Sequence, residues 1–486
     1  MRRVAVALTV AAVATSVSAL SLAEAGAWAP ALQSAGFCVP DPEDGMWVPR
    51  AVGALDVSTA PTKPIALLDT GVDPATPQLA GRVLGGLDAL TGQAVAGDPD
   101  GHGTEAAALA ASSGPGMLGA SPASPILPIR IYNPVTRSAS ADAIAKGIAL
   151  AVAKGAGVIV ISGSAPASGI DYDDLRKMNT AVEAAFDQGV LTVVGAGDDT
   201  VSEPALPASL PHVLVAGAAT ATATPSRSAQ VNTGPWLDLL VPGEGVTAPL
   251  PLGVCANGYG FSTGTSFAAP TLAGVAALVQ ARRTTLTTQQ LFEVLRRAAR
   301  DLGTAGRDDD TGFGLLNAGS ALSAPPLAKD TSAEIDDDPY WVRGRFAKAH
   351  PQVLTKTKLR FKAKGSVSPA KDPADVYRVS LAKRERLVVN LNAASPSALL
   401  ELAIFDPRVG DFDVTDDVDE FSRVATGGLS SDPQLELTAT RSGTYYVAVG
   451  AADPVDVDDP TSVAADIEPY TLSAYKQRKK AKKHKR

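Results

Sequence analysis

A chain of 486 residues is longer than one ordinary domain, so two or three folded units are expected. With 45% hydrophobic and 19% charged residues it can bury large cores, which excludes a chain disordered throughout. The net charge of −8 supplies no general field for nucleic acid, and 5% aromatics with abundant alanine point to cores of small aliphatic side chains.

At the N-terminus Arg2 and Arg3 precede an apolar run from Val4 to Val17. Small-residue cleavage patterns follow at Val17-Ser18-Ala19 and Ala25-Gly26-Ala27. This pattern predicts a cleaved export signal over residues 1–27, because the run is shorter than the ~20 residues a spanning helix needs. No later stretch is apolar over a spanning length, so the expected location is secreted or extracytoplasmic. An extension over 28–63 follows. Export makes a disulfide between the two cysteines, Cys38 and Cys255, the expected state, with two buried thiols as the alternative. Two cysteines and four scattered histidines argue against a zinc site, and no metal-ligating residue is singled out.

Residues 64–322 alternate between short apolar runs and helical segments. The runs at 64–69, 126–132, 157–162, 190–197 and 212–218 are apolar on both faces, as buried parallel strands require. Helical stretches fall at 140–154, 172–188 and 267–283. Strand–helix–strand repetition predicts an α/β fold with an open parallel sheet covered by helices on both faces, its ligands at the carboxyl ends of the strands.

A linker rich in Pro, Asp and Ala opens at 323 and is read as extending to 365. Beyond it the period changes to two at 375–381, 386–392, 399–406, 434–440 and 444–450. That predicts a small all-β sandwich over 366–475. The acidic stretch 411–420 could ligate calcium through carboxylates, and a solvated loop is the plainer reading because no ordered ligand spacing appears. No cofactor is required, and calcium stays open. The basic tail 476–486 reads as disordered, with peripheral contact to an anionic cell envelope as one role and a solvated, cleavable tail as the other.

Amide hydrolysis needs a nucleophile, a base to activate it and donors for the developing oxyanion. Of the four histidines, His484 lies in the tail, His350 in the linker, and His212 leads into an apolar strand as a structural residue would. His102 stands in DGHGTE (100–105), between glycines that permit close approach and at the start of a helix of small residues. Asp69 ends the strand PIALLD, where an orienting carboxylate would be fixed; a turn-capping Asp is the alternative. Ser266 opens a helix in STGTSFAAP (262–270), close to backbone N–H groups and the positive end of the dipole. A plain N-cap serine would look similar.

The segments LLDTGVD (67–73), DGHGTE (100–105) and GTSFAAP (264–270) resemble the three signature segments of the subtilisin-like peptidases, in that family's order. Residues 231–246 and 286–322 are similar to the loop before the nucleophile and to the closing helix, so the resemblance covers roughly 47–322. It implies a subtilisin-like fold and a serine endopeptidase in which Ser266 attacks, His102 transfers the proton and Asp69 orients the imidazole, with proteins or peptides as substrates and a monomer expected. Three departures stand out. Asp198 in GAGDD occupies the position where the family places an oxyanion-donating Asn, and an ionised Asp donates nothing. Ser162-Gly163-Ser164 replaces a bulkier substrate-binding edge; a simple surface loop is the alternative. Residues 28–63 are too short for the family's folded propeptide, and the extension instead resembles one that wraps the catalytic domain. These departures keep open a second reading, a low-activity or pseudo-protease that serves as a cell-envelope binding module. The segments DPADVYRVSL (372–381), LELAIFDP (400–407) and RSGTYYVAVG (441–450) resemble the prepeptidase C-terminal domain found beside secreted peptidases.

Overall fold

The computed structural model describes residues 37–40, 45, 47–54, 62–325 and 352–477, apart from 96, 134–135, 167–169, 171, 203–204, 211, 221, 223, 235, 368–373, 396–399, 406–422, 431 and 452–467. The expected export signal, most of the linker with His350, the acidic stretch 411–420 and the end of the basic tail with His484 lie outside the described residues.

The first elements among the described residues are a short strand, β1 (Phe37–Val39), and a helix, α1 (Trp47–Ala51). Then comes β2 (Ile65–Asp69), whose residues are all buried. Next are β3 (Gly86–Asp88), β4 (Ala94–Val95), α2 (His102–Ala111), β5 (Ile126–Arg130) and α3 (Ala141–Ala153). The chain continues through β6 (Val158–Ile161), β7 (Ala165–Pro166), α4 (Tyr172–Asp187), β8 (Leu191–Gly195), β9 (Ala205–Leu206), β10 (Val213–Ala219), β11 (Leu239–Pro242), β12 (Val246–Pro249) and β13 (Tyr259–Ser262). Helices α5 (Thr265–Arg282), α6 (Thr288–Arg297) and α7 (Ala318–Ser323) close this region.

Eight strands form one sheet in the order β11-β10-β8-β6-β2-β5-β3-β4. All neighbours are parallel except β3 and β4, so the sheet is mixed at one edge. The expected parallel sheet is otherwise present, and its strands are apolar on both faces because helices cover both. Helix α2 packs with α5, and α3 with α4, each pair against the sheet. Strand β2 lies where the order reverses, with β5 on one side and β6 on the other, so its carboxyl end opens into the crevice where ligands of such sheets sit.

Small residues set how closely the α2–α5 pair approaches. From Thr265 to Val279 every residue of α5 is buried. A Cβ on Gly274 would stand 2.6 Å from the Ala110 carbonyl oxygen of α2, so the crossing point requires glycine. On the other end of the sheet a buried ion pair fixes α6: Arg296 donates to Asp238 Oδ1 at 2.6 and 2.8 Å, and Asp238 Oδ2 accepts the Val215 N–H of β10.

A separate three-stranded sheet, β1-β13-β12, joins the N-terminal strand to the strand that enters α5. Cys38 of β1 pairs in register with Gly260 of β13, and a disulfide links Cys38 to Cys255 across a Cα separation of 5.7 Å.

Among its described residues the C-terminal region is all β. Strands β14 (Gln352–Leu354), β15 (Arg360–Val367), β16 (Ala374–Leu381), β17 (Arg386–Ala393), β18 (Leu400–Phe405), β19 (Arg423–Ser430), β20 (Gln434–Thr438), β21 (Gly443–Ala451) and β22 (Glu468–Gln477) form two sheets, β14-β16-β21-β18-β19 and β15-β22-β17-β20. Tyr377, Val379, Leu391, Leu402, Val447 and Leu472 are among its core. Pairing begins earlier than the sequence suggests: β14 and β15 both start before residue 366. Their signal is masked because lysines alternate with Phe361 and Ala363 in β15. Lys476, the first residue of the basic run, belongs to β22 and is buried, its Nζ donating to the Ser380 carbonyl at 2.6 Å.

Candidate active site

Asp69 is the last residue of the buried strand β2, and His102 is the first residue of α2. Both are 0% exposed. His102 Nδ1 lies 2.8 Å from Asp69 Oδ1. A carboxylate can only accept, so Nδ1 carries the proton and Nε2 presents its lone pair. His102 Nε2 is buried and makes no hydrogen bond, so it is not bonded to Ser266. Burial pulls the His102 pKa down, but the Asp69 charge and hydrogen bond, with Glu105 and Asp100, outweigh it and leave the imidazole more basic than usual.

Gly101 enters α2 with φ +95°, in the left-handed region, and a Cβ on Gly103 would stand 2.0 Å from the Gly71 carbonyl oxygen. These glycines let the helix start press against the end of β2. Thr70 and Asp98 then fix the pair. The Thr70 N–H donates to Asp69 Oδ1 at 2.7 Å. The Thr70 hydroxyl accepts the Gly103 N–H at 3.0 Å and gives its one proton to Asp98 Oδ1 at 2.8 Å, the nearer of its two carboxylate neighbours. Asp98 Oδ2 accepts both the N–H and the hydroxyl of Thr104 at 2.8 and 2.7 Å, which caps the first turn of α2. Burial raises the Asp98 pKa, and the Asp69 charge adds to that against the pull of the threonine hydrogen bonds.

Ser266 is the second residue of α5 and is buried. Its N–H therefore falls in the first turn, where no intrahelical acceptor exists. The next residue, Phe267, tilts its ring against that of His102 with centroids 5.1 Å apart, so the two helix starts meet. Pro270 has no N–H to give to the Ser266 carbonyl.

Asp198 sits at the head of the same helix. Its two oxygens each accept the Thr265 N–H at 3.0 Å, and Oδ2 also accepts the Thr265 hydroxyl at 2.9 Å. Burial pushes its pKa up to about 6 despite those hydrogen bonds. The position that the resemblance treats as an oxyanion donor is thus, in its ionised form, an acceptor that caps α5. Ser162, Gly163 and Ser164 follow β6; Ser162 is buried with an unpartnered hydroxyl, and Ser164 lies next to Gly197, the neighbour of Asp198. His212 stands apart from the site, stacked on Phe186 at 4.3 Å. Asp98 and Thr70 are site residues that sequence reasoning missed. Among the described residues no group of three or more His, Cys, Asp or Glu is placed to hold a metal.

A model of the Subtilase family matches residues 63–314, which span β2 through the end of α6 and the turn after it. The chain belongs to the subtilase family. Among curated subtilases, alkaline elastase YaB of Bacillus sp. (strain YaB) is 30% identical over 260 residues, covering 53% of this chain and 64% of that protein. Thermitase of Thermoactinomyces vulgaris is 31% identical over 235 residues, 47% of this chain and 79% of that protein. The chain thus spans under two thirds of the first relative. The crystal structure of a lanthipeptide protease superposes with a TM-score of 0.51 at 26% identity, covering 57% of this chain and 94% of that one. The subtilase match ends before the β-sandwich, so the likeness of 366–475 to a prepeptidase C-terminal domain rests on its sequence segments alone.

Proposed function

We propose that this subtilase is a secreted serine endopeptidase that cleaves protein or peptide substrates through an acyl-enzyme. The observation that carries the reading is the buried 2.8 Å contact between Asp69 and His102, which leaves Nε2 free at the meeting point of α2 and α5, where Ser266 begins. In this scheme Ser266 Oγ attacks the peptide carbonyl as His102 Nε2 takes its proton. The imidazolium is stabilised by Asp69 and returns the proton to the leaving amine; water then repeats the sequence on the acyl-enzyme. The Ser266 N–H supplies one donor to the oxyanion. The segment 162–164 serves as the substrate edge, and the sandwich is an accessory unit. No described helix is long and apolar enough to cross a membrane. Export rests on the N-terminal sequence pattern.

A fluorophosphonate probe tests this directly. It is expected to label the wild-type chain at Ser266 and to leave Ser266→Ala unlabelled, with hydrolysis of a chromogenic peptide amide lost in parallel. A folded wild-type chain that takes no label would leave the binding-module reading in its place.

A further inference from the structure

Glu105 is the fourth residue of α2 and is 0% exposed. It stands one turn beyond His102, on the same side of the helix. A carboxylate is buried at a penalty unless its hydrogen bonds or its charge are used. Its Oε1 accepts the Ser262 hydroxyl at 2.9 Å. Ser262 ends β13, the strand that runs into Gly264 and the head of α5. The strand is shaped for this contact: a Cβ on Gly260 would stand 2.3 Å from Glu105 Oε1, so only glycine admits the carboxylate. The hydrogen bond therefore ties the segment that delivers Ser266 to the helix that begins with His102. The charge of Glu105 also acts on His102, beside Asp69 from β2 and Asp100 from the loop ahead of α2; from α5 it is the uncharged Phe267 that faces the ring.

We propose that Glu105, through Ser262, is a positioning residue that sets the register of Ser266 against His102 and helps to hold the imidazolium formed in the reaction. This rests on the peptidase reading above. Two properties are combined in one side chain, an acceptor and a charge, and they can be separated. Ser262→Ala removes the link and keeps the charge. Glu105→Gln keeps an acceptor oxygen for Ser262 and removes the charge.

The full-length chain is assayed on a chromogenic peptide amide across pH, with fluorophosphonate labelling of the wild type run first. Ser262→Ala is expected to lower kcat about tenfold or more, as a small misplacement of reacting groups does, with KM within about twofold and the acid limb of the pH profile unmoved. Ser262→Thr, which retains the hydroxyl, restores most of the loss. Glu105→Gln is expected to lower kcat on the plateau several-fold, because an anion that stabilises the imidazolium is gone, and for the same reason to move the acid limb of kcat/KM to lower pH. If both variants fold and merely lower the thermal midpoint, with kcat, KM and the acid limb unchanged, Glu105 is a packing residue and the proposal fails. If Glu105→Gln does not fold, the serine pair decides alone: equal kcat for Ser262→Ala and wild type overturns the link. An unlabelled wild type would instead sink the peptidase reading, which keeps the two failures apart.

Discussion

At the level of single residues, Asp198 poses the sharpest chemical conflict. In its ionised form both oxygens are used as acceptors for Thr265, so nothing is left to donate toward an oxyanion. Its folded pKa, about 6, lies above the ordinary 3.8 because burial penalises the anion. The stabilisation tied to that raised value is complete below the unfolded pKa and is lost as pH climbs through about 6. An Asn can keep the cap with its carbonyl oxygen and free its NH2 group. Asp198→Asn is therefore expected to gain in thermal midpoint relative to the parent as pH rises from 4 to 7. Above pH 6 turnover of a peptide amide should rise, toward the ~10²–10³ that one oxyanion donor contributes. Folded Asp198→Asn with no gain in turnover would mean that the second donor comes from elsewhere. The buried Asp69–His102 pair was legible in the sequence, and Ser266 stood out as a candidate, because each stands inside its own local motif. Asp98 and Glu105 were not, because their meaning depends on partners 28 and 157 positions away, Thr70 and Ser262.

At the level of elements, the site depends on two helix starts being brought together, and the distance between α2 and α5 controls that. Gly274 is the contact point. An alanine there would improve helix propensity by about 1 kcal/mol, but its Cβ would stand 2.6 Å from the Ala110 carbonyl oxygen and 2.8 Å from the Ala120 Cβ. Backbone cannot yield as a flexible side-chain tip can, so the overpacking penalty, roughly 1–3 kcal/mol, prevails. Gly274→Ala is expected to lower the denaturant midpoint and to slow fluorophosphonate labelling of Ser266, while the same change at exposed Gly85, where a Cβ meets nothing within 4 Å, leaves labelling unaltered. An unchanged midpoint for Gly274→Ala would show that the helix pair can separate freely. Strands β2, β5, β6, β8 and β10 could be read in advance because parallel strands covered on both faces are continuous apolar runs. The short strands β3 and β4 at one end of the sheet, and β15 with its alternating lysines, carried too little apolar signal to be seen.

At the level of the whole molecule, the N-terminal extension is part of the architecture of the α/β unit. Strand β1 has three residues, too few to hold its place by pairing alone, yet it lies in register against β13, whose far end leads to Ser266. What fixes it is the bond between exposed Cys38 and buried Cys255, which closes a loop across a sequence separation of 217. On the chain-entropy model a loop of that size constrains the unfolded state by about 5 kcal/mol, an upper value because strain and residual structure reduce it. The pair Cys38→Ser with Cys255→Ser is thus expected to lower the thermal midpoint by several degrees, and a reductant should do the same to the wild type but not to the double variant. Loss of β1 also leaves β13 with β12 as its only partner in the three-stranded sheet. The labelling rate of Ser266 should then fall before the fold is lost, visible as a temperature range in which near-ultraviolet dichroism is native and labelling is already slow. If midpoint and labelling rate both match the wild type, the extension is a passive appendage and β13 holds its register unaided.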